Sequence, residues 1–343
     1  MAPADAPLDA AMGAVLALGS TAGSPIPADD RAAIDGFALR SGDLSGASPY
    51  APLALAVTPH FVSVGDRLPD GCDCVVEAGL VEQAGPLALV IGEARPGEGV
   101  RRRGADMGAG EPMLRPGTRL GPLDALLARS AGLHRLLVRR PRLRLVEMNG
   151  AAGGSTLSLV TALASQVGVI LDRRPVADPD ALAPDGCDVL LTIGGTGTGS
   201  ADATASRLAE AGWTLRHGVA LRPGRTSAVG RQGAAALVAL PGSTDAALAA
   251  WLVLVEPLLR HLSSAWPSAT QRASLSRKIA SDAGHAELAL LALTAEGSYD
   301  PLTVGALPLH ALRDASAWTL VPAGSEGRPA GATIPIHPLP GRP

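Results

Sequence analysis

Val189-Leu-Leu-Thr192-Ile193-Gly194-Gly195-Thr196-Gly197-Thr198-Gly199-Ser200-Ala-Asp202 decides the fold. Five apolar or β-branched residues run into a glycine-rich segment, and helix-forming composition follows from Ala203 to Ala211, so the stretch reads as strand, loop, helix. Working outward, Leu143 to Val146 predicts a strand, Thr156 to Gln166 a helix, and Val169 opens another strand. Downstream, Ala236 to Leu240 predicts a strand and Thr244 to Leu262 a long apolar helix. That alternation is the pattern of a parallel sheet covered by helices.

Further from the loop the text changes. From Phe37 to Thr118, short apolar runs such as Leu53 to Val57, Cys74 to Val76 and Leu87 to Ile91 are broken by Gly, Pro and Asp, which predicts an all-β region. Leu123 to Ser130 predicts a helix, with Pro122 in its first turn and Gly132 past its end. Pro7 to Leu18 has helical composition until Ser24-Pro25-Ile26-Pro27 breaks the pattern. After Pro267 short strands return and run into a proline-rich tail from Pro335. A chain of 343 residues exceeds what one core usually organises, so several domains are expected.

Composition removes whole classes of function. A formal net charge of −3 with 2% aromatic residues leaves neither a footprint for nucleic acid nor a stacking platform for bases. Cys72, Cys74 and Cys187 are odd in number and lack nearby histidines, which fits a reducing compartment better than a disulfide framework or a four-ligand zinc site. The apolar stretch near Leu18 is preceded by Asp5 and Asp9 and by no Lys or Arg, against the charge order of a signal peptide. The longest apolar run, Ala246 to Val255, stops at Glu256-Pro257, short of the ~20 residues a bilayer span needs. A cytoplasmic protein without a membrane segment is the expectation.

The chemistry gathers in a few segments. The backbone N–H groups of Gly194 to Ser200 are placed to converge on an anion at the start of a helix. The loop lacks the GK[ST] of a Walker motif, and Ser200 stands where the dinucleotide fingerprint needs glycine. A plain glycine-rich connection with Asp202 capping the helix explains the same residues. Leu221-Arg222-Pro223-Gly224-Arg225 sets two guanidiniums about a Pro-Gly turn, suited to an oxyanion, although arginines often flank exposed turns. Leu240-Pro241-Gly242-Ser243-Thr244 ends a strand and opens the long helix on the presumed carboxyl edge, where ligands of open α/β sheets bind. Asp35-Gly36-Phe37 and Arg101-Arg102-Arg103-Gly104-Ala105-Asp106 add carboxylates beside turns.

In chain order, these segments resemble the molybdopterin molybdenumtransferase family, represented by MoeA and the E domain of gephyrin. Ile26 to Arg40 is similar to that family's "P..D.SAMDGYAVR", and Gly65 to Glu77 to its "G.PLP.GADAVV..E". Arg102 to Asp106 resembles "RR.GED", and Pro116 to Gly121 resembles "PAGTRL". Gly194 to Asp202 resembles "GGVSVGDYD", Leu221 to Arg225 "KPGKP" and Leu240 to Gly242 "LPGNP", with Asp178 at the family's acidic position after the second strand.

The resemblance implies a multidomain α/β and β protein, working as a homodimer. A shortened helical domain (residues 1–27 and 119–140) would carry an inserted β domain (28–118), followed by a central three-layer, MogA-like molybdopterin-binding α/β domain (141–265) and a C-terminal β-barrel-like domain (268–343). It implies insertion of molybdate into adenylylated molybdopterin with release of AMP, assisted by Mg²⁺. A MogA-like adenylyltransferase and an apo-molybdoenzyme are the implied protein partners.

Asp35, Asp106, Asp178 and Asp202 would be catalytic, with Asp202 and Asp178 on the metal. Gly194, Gly195, Thr196, Gly197, Thr198, Gly199 and Ser200 would form the cradle, completed by Arg222, Pro223, Gly224 and Arg225 and by Pro241, Gly242 and Ser243. The chain departs from the family where "STGDEL" is expected: Glu147-Met148-Asn149-Gly150-Ala-Ala-Gly153-Gly154-Ser155 lacks the Asp-Glu pair. That departure keeps a second expectation open, a non-catalytic carrier or chaperone that binds the cofactor for a molybdoenzyme.

Overall fold

Downstream of residue 141 the apolar runs pair as parallel strands. In the computed structural model, which describes residues 1–55, 58–84, 87–148, 154–267 and 270–342, this region holds Arg142–Glu147 (β1), Ser155–Gln166 (α1), Ile170–Pro175 (β2) and Val189–Ile193 (β3). Thr204–Glu210 (α2), Thr214–His217 (β4), Ala228–Gln232 (β5), Ala235–Leu240 (β6) and the helical run Thr244–Ser263 (α3) complete it. The sheet order is β2-β1-β3-β6-β5-β4. Parallel pairing joins β2, β1, β3 and β6, with Leu143 opposite Val189 and Ile193 opposite Leu240, while β5 and β4 run antiparallel at the edge.

This order creates a crevice. The chain leaves β1 for β2 on one side and returns to β3 on the other, so the direction of winding reverses between β1 and β3. Ligands of such sheets sit outside the carboxyl ends at that reversal. The glycine loop follows β3 and is therefore delivered to it.

Burial on both faces explains the continuous apolar strands. Leu143, Leu191, Ile193, Leu240 and Trp251 are fully buried in one apolar cluster that also takes Leu288, Leu290 and Trp318 from further along the chain. The run Thr244–Ser263 has the length and mean hydropathy of a membrane span, but Ala247, Ala249, Ala250 and Trp251 are wholly buried, as in a core helix. A π-helical turn at Trp251–Val255 interrupts it.

The strand Leu221–Arg222 leaves the α/β region and pairs in parallel with Ala286–Leu293. That strand lies beside Ala317–Val321, then Thr333–Pro338 and Gln271–Ser274, with Tyr299–Val304 also on it. The strands expected after Pro267 thus form a sheet.

At the N-terminus the structure departs from the expected helix over Pro7 to Leu18. Only Leu8–Ala11 is helical, and Ala4–Pro7 and Val15–Leu16 pair with Arg135–Arg139. Gly13, at φ 75°, turns the chain out of the helix, and the Gly13 N–H donates instead to the Leu120 carbonyl. Composition favoured a helix there, and strand pairing overrode it.

By contacts the chain divides into two units. Met1–Leu18, Pro116–Gly121 and Arg135–Pro343 make the one described so far. The other, Gly19–Arg115 with Pro122–His134, holds the β region: Gly36–Leu39 lies between His60–Val62 and Cys74–Glu77, and Leu87–Val90 between Leu53–Leu55 and Val81–Ala84. The tail of the Leu53 to Val57 expectation, residues 56–57, lies outside the described residues. The expected helix is Pro122–Ser130.

Candidate functional site

The loop between β3 and α2 is held from three sides. Gly194 N–H donates to the Leu240 carbonyl at 3.0 Å, fixing the loop beside the end of β6. Buried Thr204 donates through Oγ1 to the Gly194 carbonyl at 2.7 Å, and its N–H reaches the Gly195 carbonyl at 3.0 Å. His217 Nε2 lies 2.8 Å from the Thr196 carbonyl, and Thr196 Oγ1 is 3.3 Å from Thr226 Oγ1. Gly194 and Gly195 take φ 86° and 66°, conformations that suit glycine.

Asp202 closes the tip. Its Oδ2 accepts the Gly199 N–H at 2.9 Å, and a Cβ on Gly197 would lie 2.5 Å from that oxygen. Any larger residue at 197 must therefore push the carboxylate away. Thr198, Gly199 and Ser200 are exposed. Among the described residues, the main-chain N–H groups of Gly195, Thr196, Gly197 and Thr198 have no hydrogen-bond acceptor. Four such donors on one partly buried turn, open at Thr198, are the kind of main-chain donor set that takes an anion.

Next to it, the Pro241-Gly242-Ser243 turn leads into α3, whose first bond runs from the Ala247 N–H to the Ser243 carbonyl. Buried Thr156, at the start of α1, donates through Oγ1 to the Gly242 carbonyl at 2.8 Å and lies 2.9 Å from Thr244 Oγ1. The starts of α1 and α3 thus meet at the carboxyl edge, and their positive ends favour negative charge.

A cavity of about 520 Å³ opens at the ends of β1 and β2, lined by Glu147, Leu157, Arg173 and Arg174. Residues 149–153, where the Asp-Glu pair is missing, lie outside the described residues. Asp178 is close by and engaged: Oδ2 is 3.3 Å from Arg174 Nη1, and Oδ1 accepts the Asp180 N–H at 3.0 Å. Arg174 also donates to Asp172, as does Arg144, which is 3% exposed within the sheet. Burial alone would raise the Asp172 carboxyl, but hydrogen bonds from Arg144 and Arg174 outweigh it and hold the group below the ordinary range. Arg144 ties the 176–188 connection to the sheet through the carbonyls of Asp180, Ala183 and Asp185.

The arginine turn is more tightly held than its sequence suggests. Arg222 Nη1 lies 3.2 Å from both Asp282 Oδ2 and Glu287 Oε1. Glu287 is buried and accepts further bonds from Ser281 Oγ and the Asp282 N–H. Gly224 lies between Pro223 and exposed Arg225, and its carbonyl accepts both the Ser227 hydroxyl and the Ser227 N–H.

Asp35 and Asp106 belong to the other unit. Asp35 Oδ1 accepts the Val64 N–H at 2.7 Å, and Asp106 forms a two-pronged pair with Arg101 at 2.9 and 2.5 Å. Among the described residues, no group of three or more His, Cys, Asp or Glu could cage a metal ion. A Mg²⁺ that keeps several waters and shares a phosphate needs only one or two carboxylates. Asp202 fits that lesser demand through Oδ1, which has no donor among the described residues, whereas both oxygens of Asp178 are occupied.

Sequence reasoning missed Thr156, Thr204, His217 and Glu287. Each acts through a partner at least ten residues away, and no local motif marks them.

Comparison with known proteins matches both main regions of the chain. Residues 2–132 match the family described as MoeA N-terminal region (domain I and II), and residues 162–261 match a probable molybdopterin binding domain. Molybdopterin molybdenumtransferase 2 of Mycobacterium tuberculosis is 28% identical over 311 residues, 75% of each chain. The molybdopterin molybdenumtransferase of Synechococcus elongatus is 26% identical over 362 residues, covering 92% of this chain and 89% of its own. The MoeA protein of Pyrococcus horikoshii shares the fold, with TM-score 0.67 over 98% of this chain and 94% of its own at 22% identity. With both domains matched in order and the fold shared along nearly the whole length, this chain belongs to the molybdopterin molybdenumtransferase family of molybdenum cofactor biosynthesis.

Proposed function

We propose that the carboxyl edge of the central sheet binds adenylylated molybdopterin and exchanges its nucleotide for molybdate, releasing AMP, in the cytoplasm. The observation that carries this reading is the row of unpaired N–H groups at Gly195, Thr196, Gly197 and Thr198, set beside the reversal of strand order. Anion binding at a helix start typically contributes ~0.3–1 kcal/mol. The loop's donors are partly buried, which puts their contribution toward ~2 kcal/mol; the rest of the affinity would come from the pterin, for which the 520 Å³ cavity at the ends of β1 and β2 has room. Arg173, exposed at the wall of that cavity, supplies positive charge for an oxyanion. Mg²⁺ would neutralise developing phosphate charge, with Asp202 as its protein ligand. Asp35 and Asp106 are further catalytic carboxylates in this reading, and the working form is a homodimer.

Incubating the protein with adenylylated molybdopterin, molybdate and Mg²⁺ tests it: AMP and metal-loaded pterin should appear together. A second reading, a carrier that binds the cofactor and hands it to an apo-molybdoenzyme, is favoured by the missing Asp-Glu pair and by the engagement of Asp178 with Arg174. Tight pterin binding without AMP release selects the carrier. Absence of pterin binding defeats both.

A further inference from the structure

A second cavity, of about 570 Å³, lies where the C-terminal ends of α1 and α3 meet the Ala317–Val321 strand and the last described residues. Helices of a parallel sheet run back against their strands, so this is the amino end of the central layer, away from the glycine loop. Its size falls within the ~300–1,000 Å³ of small-molecule sites. Its apolar surface is presented by Val167, Pro257 and Pro338, with buried Leu163, Trp251 and Trp318 behind them, and Arg119, Arg260 and Glu256 line its wall.

Charge in that wall is unbalanced. Arg260 pairs with Glu256, while among the described residues Arg119 donates Nη1 only to the carbonyls of Gly13 and Val167. Arg342 adds a third guanidinium at the exposed rim. Burial lowers the pKa of Arg119, Arg260 lowers it further, and Glu256 opposes them. His337 does not redress the excess: its ring stacks on Trp318 with centroids 4.6 Å apart, and burial pushes its pKa down, keeping it neutral at pH 7. Three guanidiniums thus line this cavity with one carboxylate, an excess of positive charge that an incoming anion relieves.

We propose that this cavity is a binding site for a small organic anion, with an apolar body against Val167, Pro257 and Pro338 and a carboxylate or phosphate head on Arg119 and Arg260. It is independent of the glycine loop and of the reaction proposed there.

Phthalate is the probe, titrated into the full chain by calorimetry and by the fluorescence of the tryptophans behind the cavity. Saturable binding is expected with Kd below about 1 mM. Arg260→Gln should weaken it about tenfold, and exposed Arg342→Gln about threefold. Glu256→Gln should tighten it several-fold by removing the competing carboxylate, an opposite sign that a merely structural role would not give. If Arg260→Gln fails to fold, the other two variants carry the test. Gly197→Val should leave phthalate binding unchanged. The proposal is overturned if no saturation is reached at about 10 mM, if neutral benzamide binds equally well, if the charge variants bind alike, or if Gly197→Val abolishes binding.

Discussion

The two ends of the central sheet handle negative charge by different means. At the carboxyl end the donors are main-chain N–H groups of one short loop, held in place by Thr204, His217 and Asp202. At the amino end the donors are the guanidiniums of Arg119, Arg260 and Arg342, brought together from three separated stretches of chain. The first device tolerates change in side-chain chemistry but not in backbone geometry. The second responds to charge and is indifferent to the loop.

Substitutions can break that contrast. The largest effect is expected at Gly168, where an added Cβ would lie 1.7 Å from the Gly13 carbonyl oxygen and φ is 65°. Gly168→Ala should destabilise the protein by about 3–5 kcal/mol, measured by denaturant unfolding, since neither backbone can retreat without losing the Arg119 contacts beside it. Gly197→Val comes next. It should reduce pterin affinity about 30-fold, near 2 kcal/mol, while stability changes by less than about 1 kcal/mol because the added side chain meets only the movable Asp202 carboxylate. Equal losses of stability and affinity would erase the distinction between backbone and side-chain sites.

Glu287→Gln sharpens the picture of the arginine turn. It removes the buried partner of Arg222 and should cost about 1–3 kcal/mol. If Arg222 also grips ligand phosphate, pterin affinity should rise in this variant as the guanidinium loses a rival acceptor.

The smallest effect lies outside both ends. Hydrogen bonds from Arg277 and Ser276 hold the Asp300 carboxyl down to about 2. The unfolded value is ~3.9, so the folded state binds this proton more weakly. The stabilisation is therefore present above about pH 4 and lost as pH falls toward 2. Asp300→Asn should cost no more than about 1 kcal/mol at pH 7, given the exposed partner Arg277, and nothing near pH 2, read from thermal unfolding across that range.

What the sequence revealed followed from distance along the chain. Val189–Ile193 and the loop to Asp202 are contiguous, so apolar run, glycines and helix start could be read together, and the strand came out with the same bounds. The parallel order around β1 and β3 followed from alternation. The β4–β5 hairpin escaped notice because Thr214–His217 and Ala228–Gln232 carry little apolar patterning and are joined by the arginine turn. The partners of Arg222 were equally hidden: Glu287 stands 65 residues on, in a strand of the following sheet. The amino-end cavity draws on residues near 119, 163, 256, 318 and 337, so no local stretch announces it.

The central claim is that backbone donors of the glycine loop hold the pterin. Calorimetric titration of molybdopterin into the unaltered chain, Gly197→Val and Arg260→Gln tests it most directly. The account predicts tight binding to the unaltered chain and to Arg260→Gln, with a roughly 30-fold loss in Gly197→Val. Undiminished binding to a well-folded Gly197→Val protein would contradict it.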